Sequence, residues 1–247
     1  MKKSVIIAAA AIAAFGFVSS ASAADMPTKA PMAPLPVAYN WTGFYIGAHG
    51  GYGWANSDWT FQNVSFFNTF VGDQINLKPK GGLGGGQVGY NYQVGQFLLG
   101  VEGTFSWADI KQTVTSPIFP TTDNETTKIK NLYTVAARLG VTNGPWLAYA
   151  KGGWAGGRVQ LSAAEPGIAV SWDPATQSRS GFVIGGGVEY MIAPSIILGA
   201  EYNYIDLGSK TYSAVNTPGV FGTTTVSDKT TVSTIIGRVS YLFNIGR

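Results

Sequence analysis

Eight stretches of this sequence alternate with a period of two, and that alternation constrains the fold more than any other feature. In Thr42–Ala55, Phe44, Ile46, Ala48, Gly50, Tyr52 and Trp54 fall on one face, and Tyr45, Gly47, His49 and Gly51 on the other. The same sorting recurs over 84–92, 97–107, 133–141, 146–154, 182–192, 196–204 and 235–243. One face is apolar and aromatic, and the other is small or polar. That is the signature of strands with two different surroundings. Leu147, Val183, Ile197 and Ile236 break the rule by falling on the polar face.

The connections narrow the choice of architecture. Val94-Gly95-Gln96, Thr142-Asn143-Gly144-Pro145 and Ala193-Pro194-Ser195 are short, and Asn-Gly is a strong turn signal. The segments near 56–79, 111–127, 161–178 and 210–227 are long and rich in Thr, Asn, Ser, Asp and Pro. Long and short connections alternate strictly. A soluble β-sandwich has no reason to keep that order, whereas an outer-membrane barrel requires it. The expected fold is therefore all-β, an eight-stranded antiparallel transmembrane up-and-down β-barrel. Backbone polar groups cannot stay unpaired in hydrocarbon, so a spanning sheet must close on itself.

Residues 1–23 read as a signal peptide: Lys2 and Lys3, an apolar stretch from Val5 to Val18, then Ala21-Ser22-Ala23. Residues 24–40, with prolines at 27, 31, 34 and 36, read as a Pro-rich periplasmic linker. The barrel is expected over 41–247. With Lys2 and Lys3 set aside, acidic and basic residues nearly balance, so no nucleic-acid partner is expected. The chain has no cysteine and one histidine, which excludes thiol nucleophiles, cysteine-ligated metals and multi-histidine clusters. No catalytic, cofactor-binding or metal-binding residue is assigned. Gly84, Gly86 and Gly89 match a dinucleotide fingerprint by letter only, because Tyr90-Asn91-Tyr92 continues a strand where a helix is required.

The face assignment names three sets of residues. Glu102, Arg138, Lys151, Glu189, Glu201 and Arg238 sort inward as three acids facing three bases, and buried charges must pair. They are expected to plug the lumen rather than line an open pore; a gated ion path is the alternative. His49, Gln87, Asn91, Tyr149 and Asn203 are the expected polar lumen residues, with His49 a hydrogen-bonded interior imidazole rather than a catalytic base or haem ligand. Trp54, Trp107, Trp154 and Tyr204 would form the outer aromatic girdle. Tyr90, Tyr92, Phe97, Trp146, Tyr190, Tyr241 and Phe243 would form the periplasmic one.

The loop aromatics Trp59, Phe61, Phe66, Phe67, Phe70 and Trp172 would either pack on one another as a folded cap or contact a ligand such as haemin. Lys78, Lys80, Lys111, Lys128, Lys130, Arg158, Arg179, Lys210 and Lys229 lie at or beside the loops. They are matched by Asp58, Asp73, Asp109, Asp123, Glu125, Glu165, Asp173, Asp206 and Asp228, so the default expectation there is a mixed, solvated surface.

The opening Trp41-Thr42-Gly43-Phe44-Tyr45-Ile46-Gly47, with the leader and Pro-rich segment, resembles the small outer-membrane β-barrel proteins of alphaproteobacteria. That group includes RopB-like rhizobial proteins, immunogenic surface proteins of related pathogens, and haemin-binding members. Val239-Ser240-Tyr241-Leu242-Phe243 resembles the aromatic terminal strand read by the barrel-insertion machinery, here followed by Asn244-Ile245-Gly246-Arg247. The resemblance implies an OmpA-type eight-stranded barrel without enzymatic activity. It implies a structural outer-membrane role in envelope integrity and surface contacts, or alternatively loop binding of haemin or a host component. The expected partners are outer-membrane lipid and lipopolysaccharide and the insertion machinery.

Overall fold

The computed structural model describes residues 39–63, 70–115, 123–165, 170–174, 176–217 and 222–244. The expected leader (1–23), most of the Pro-rich segment, Phe66, Phe67 and the last three residues lie outside them. Ten strands follow in chain order: β1 (Gly43–Asn63), β2 (Gln74–Leu77), β3 (Lys80–Val94), β4 (Phe97–Thr115), β5 (Asn124–Asn143), β6 (Trp146–Glu165), β7 (Val170–Trp172), β8 (Gln177–Ala193), β9 (Ile196–Val215) and β10 (Thr223–Asn244).

Eight of these are long and pair antiparallel in the order β1-β3-β4-β5-β6-β8-β9-β10, and β10 pairs back onto β1. The eight long strands thus form a closed sheet. Following paired residues from Gly43 through Asn91, Gly100, Arg138, Lys151, Gly185, Asn203 and Thr234 returns to β1 at Gly53, ten positions further on. With ordinary strand rise and spacing, that stagger tilts the strands by roughly 40°. An eight-stranded cylinder of this kind has an interior that side chains can fill.

At one end the hairpins close with two-residue loops. Gly95 (φ 60°) and Gly144 (φ 57°) take the left-handed backbone that such tight turns need. The Asn143-Gly144 signal resolves as a Gly144-Pro145 loop, with Asn143 paired to Trp146 as the last rung.

The opposite end differs from the sequence expectation. Most of the described residues in the segments near 56–79, 111–127, 161–178 and 210–227 are strand rather than loop, because the strands run on into them. β2 continues β3 beyond Pro79 by pairing with Ser57–Thr60 of β1, and β7 folds back onto Ala163–Glu165 of β6. The reason is a reversal of polarity along the cylinder. Between the aromatic bands, apolar side chains point out and polar ones in. Beyond the Trp54–Trp107–Trp154 level, Thr, Ser and Asn point out. Trp59, Ile75, Ile110, Ile129, Val159, Leu161, Trp172, Leu207, Tyr212 and Val226 point in and are buried. That half is built like a soluble β-barrel, whose hydrophobic interior is stabilised by water outside.

The interior is layered. Trp41, Leu98, Leu147, Met191, Ile197 and Leu242 form a small apolar plug at the turn end. Val183 and Ile236 belong to the larger apolar cluster toward the loop end. The four apolar residues that broke the alternation are thus inner plug residues. A band of charge lies between the two clusters.

Candidate functional site

The charged band is assembled from six strands. β4 supplies Glu102, β5 Arg138, β6 Lys151, β8 Glu189, β9 Glu201 and β10 Arg238, and all six are at most 5% exposed. Arg138 and Lys151 are directly opposed across one rung, an arrangement that like charges tolerate only with counter-charge at hand. The carboxylates supply it. Glu102 approaches Lys151 at 3.2 Å and Arg138 at 3.5 Å, and it pairs with Arg238. Glu189 binds Arg138 at 2.7 Å and Arg238 at 3.3 Å. Glu201 binds Lys151 and Arg238, each at 2.6 Å.

Two tyrosines complete the band. Tyr45 donates to Glu102 at 2.8 Å and accepts from Arg138 at 2.7 Å, while Tyr149 donates to Glu201. The Arg138 guanidinium lies 3.8 Å from the centroid of the Tyr149 ring, within cation–π range. Room for the phenols comes from glycine: a Cβ at Gly89 would meet Tyr45 Oη at 2.4 Å, and one at Gly187 would meet Tyr149 Oη at 2.8 Å. The tyrosines escape simple face sorting as partners of the charges, because an aromatic on the inner face carries no charge signal of its own.

Above the band, His49 Nδ1 donates to Gln87 Oε1 at 2.7 Å, and its Nε2 accepts from the Ser106 hydroxyl at 2.8 Å. Gln87 continues to Ser240 at 3.1 Å, and Asn203 donates to Glu201 at 2.9 Å. The side-chain amide of Asn91 is buried with no hydrogen-bond partner among the described residues. Ser106, His49 and Gln87 have the order of a nucleophile, base and orienting group. The enclosed space beside them measures about 20 Å³, enough for one water and no substrate.

Outside, the aromatics named from the sequence lie in two bands. Trp146 with Tyr190 and Tyr241 with Phe243 pack at centroid distances of 4.7 and 4.8 Å near the turn end, where Tyr92 and Phe97 are also exposed. Tyr90 stacks on Phe44 in the same band at 4.7 Å. At the other level, Trp107 meets Phe105 at 5.0 Å, Trp154 meets Tyr133 at 5.5 Å, Tyr204 meets Phe182 at 6.4 Å and Trp54 meets Tyr202 at 6.2 Å. Phe44, Phe105, Tyr133, Phe182 and Tyr202 therefore join the bands.

The mixed, solvated loop surface needs correction. Arg179, Asp228, Asp123, Glu125 and Glu165 are buried, because the continued strands turn them into the capped interior. Arg179 pairs with Asp228, donates to Thr230 Oγ1 at 2.7 Å and binds the carbonyl of Asp228 at 2.7 Å. Asp228 also accepts from Ser57 at 2.6 Å. Of the described loop aromatics, Trp59, Phe61 and Trp172 are buried in this cap, and only Phe70 is exposed.

Comparison with known proteins agrees with this architecture. Residues 9–243 match the family described as outer membrane protein beta-barrel domain. The chain is 35% identical over 218 residues to the 31 kDa outer-membrane immunogenic protein of Brucella melitensis biotype 1, covering 84% of this chain and 88% of that protein. It is 30% identical over 188 residues to the 22 kDa outer membrane protein of Rhizobium leguminosarum bv. viciae, covering 73% of this chain and 71% of that one. Among solved structures, the attachment invasion locus protein of Yersinia pestis aligns with a TM-score of 0.41 at 16% identity, covering 82% of this chain and 99% of that chain. With its closed antiparallel sheet and a match over nearly its whole length, the chain belongs to the outer membrane protein beta-barrel domain family and is a bacterial outer-membrane protein.

Proposed function

We propose that this protein is a non-catalytic structural component of the outer membrane. It seals its own lumen, stabilises the envelope through its lipid-facing belt and presents a folded cap at the surface. The observation that carries the reading is the interior band of three acids and three bases, closed on itself by ion pairs and almost fully buried. A neutral, mutually bonded plug opposes ion flow. The space at His49 is too small for a substrate, and burial of Trp59, Phe61 and Trp172 removes them as haemin contacts. Residues 1–23 would direct export, and the Val239–Phe243 strand would engage the insertion machinery. Outer-leaflet lipopolysaccharide would be the lateral partner.

The test is complementation of a deletion strain with a variant whose segment 64–73 is replaced by a short turn. Restored resistance to detergent and to bulky antibiotics supports the structural reading. Intact envelope resistance combined with lost adhesion or haemin uptake would transfer the function to the loops.

A further inference from the structure

Above the outer aromatic band, lysines line up across three neighbouring strands. Lys80 of β3 is the cross-strand partner of Lys111 of β4, and Lys111 is the partner of Lys128 of β5. All three have solvent-accessible side chains, and Lys130 and Arg158 are exposed beside them. The acid at this ladder is Asp109, 3.2 Å from Lys111 and 3.4 Å from Lys128. One carboxylate cannot neutralise three lysines set directly opposite one another, and such a row is repulsive without an added anion. On the neighbouring β1–β10 pair, by contrast, Lys229 has Asp58 as its cross-strand partner.

A second feature lies beneath the ladder on the same strands. Gly86 is paired with Phe105 and Phe105 with Tyr133; in the next rung Val88 is paired with Gly103 and Gly103 with Val135. The missing side chains at Gly86 and Gly103 leave an outward groove of about 530 Å³ that reaches up to Trp107, four residues below Lys111. A larger groove of about 830 Å³ at the turn end has no charged residue in its lining. The groove under the lysines combines an apolar slot with a cationic rim above it.

We infer that the β3–β5 wall is a binding site for a phosphorylated glycolipid of the outer leaflet. Its phosphate is held by Lys80, Lys111 and Lys128, and one acyl chain lies in the groove floored by Gly86 and Gly103. Phosphates of that leaflet sit at the level just above an aromatic girdle, where ammonium groups act as strong point-charge partners. This assignment rests on the lipopolysaccharide-contact reading above and locates the contact.

The full-length protein, folded in zwitterionic micelles, is titrated with bisphosphorylated lipid A, and bound lipid is counted by native mass spectrometry. Lys80→Gln/Lys111→Gln/Lys128→Gln should weaken binding at least 10-fold, and Gly103→Leu should weaken it by filling the slot. Asp109→Asn should tighten it, and Lys229→Gln should leave it unchanged. The triple arginine replacement should retain binding, which separates charge from misfolding. Every variant must first show the heat-dependent gel shift of a folded barrel. If the wild-type chain lacks that shift, the barrel reading itself falls. If folded triple-glutamine protein binds lipid A like wild type, this inference alone falls. It also falls if a soluble sulfated polysaccharide needs the three lysines while lipid A does not.

Discussion

Trp59 of β1 and Trp172 of β7 meet edge to face inside the outer cap, with ring centroids 6.0 Å apart. Trp59 donates to Ser57 and Thr127, each at 3.1 Å, and Trp172 donates to the carbonyl of Thr224 at 3.1 Å. The pair thereby ties β1, β5, β7 and β10 into one unit. Trp172→Ala should destabilise the cap by about 3–5 kcal/mol, the usual cost of emptying a large aromatic site. Limited proteolysis should then cut the outer hairpins while the gel shift of the folded barrel persists. Unchanged protease resistance would show that the cap does not depend on this pair.

Arg138 is the cation most enclosed by the band, bound to Glu189 at 2.7 Å and stacked on Tyr149. Arg138→Met leaves buried carboxylate short of its partner and should cost about 3–5 kcal/mol. Adding Glu189→Leu should restore much of that loss, since a buried pair exchanged for apolar side chains is often neutral. Urea titration of the protein in micelles reads both. A single variant as stable as wild type would mean the band does not hold the barrel.

Val101 points outward near the middle of the belt, whereas Thr104 points inward and shares a 2.7 Å hydrogen bond with Thr134. Val101→Arg should cost about 2–4 kcal/mol of insertion free energy at the bilayer midplane. Thr104→Val should cost only about 1 kcal/mol, for the lost hydrogen bond. Folding yield into lipid vesicles separates the two, and equal yields would contradict the face assignment.

Much of this plan was legible in the sequence because a bilayer-spanning barrel writes its two solvents into alternate positions. Phe44 against Tyr45 and Val101 against Glu102 already separate outside from inside. Segments such as Lys210–Ser213 looked like loops because their polar residues outnumber the inward Tyr212. Once the surroundings change from lipid to water, the same alternation changes sign. Arg179 and Asp228 could not be paired from the sequence, nor could the lysines of Lys80, Lys111 and Lys128 be aligned. Both relationships depend on a register set by the stagger of the whole cylinder.

The cap carries a pH response. Asp123 precedes β5 and faces Glu165 at the end of β6; burial, reinforced by the Glu165 carboxylate, pushes it up to about 6. A carboxyl whose folded value lies above its unfolded value near 4 favours the folded cap while protonated. That contribution is present at low pH and lost as pH rises from about 4 through about 6. The cap should therefore resist protease better at pH 5 than at pH 7.5, and Asp123→Asn should abolish the difference. A cap more resistant at pH 7.5 would contradict the assignment.

Single-channel recording of the refolded protein in planar bilayers tests the sealed lumen most directly. The neutral, fully paired band between two apolar plugs predicts an electrically silent bilayer, with no stable conducting state at either polarity. Reproducible, long-lived openings of large conductance from homogeneous folded protein would contradict it.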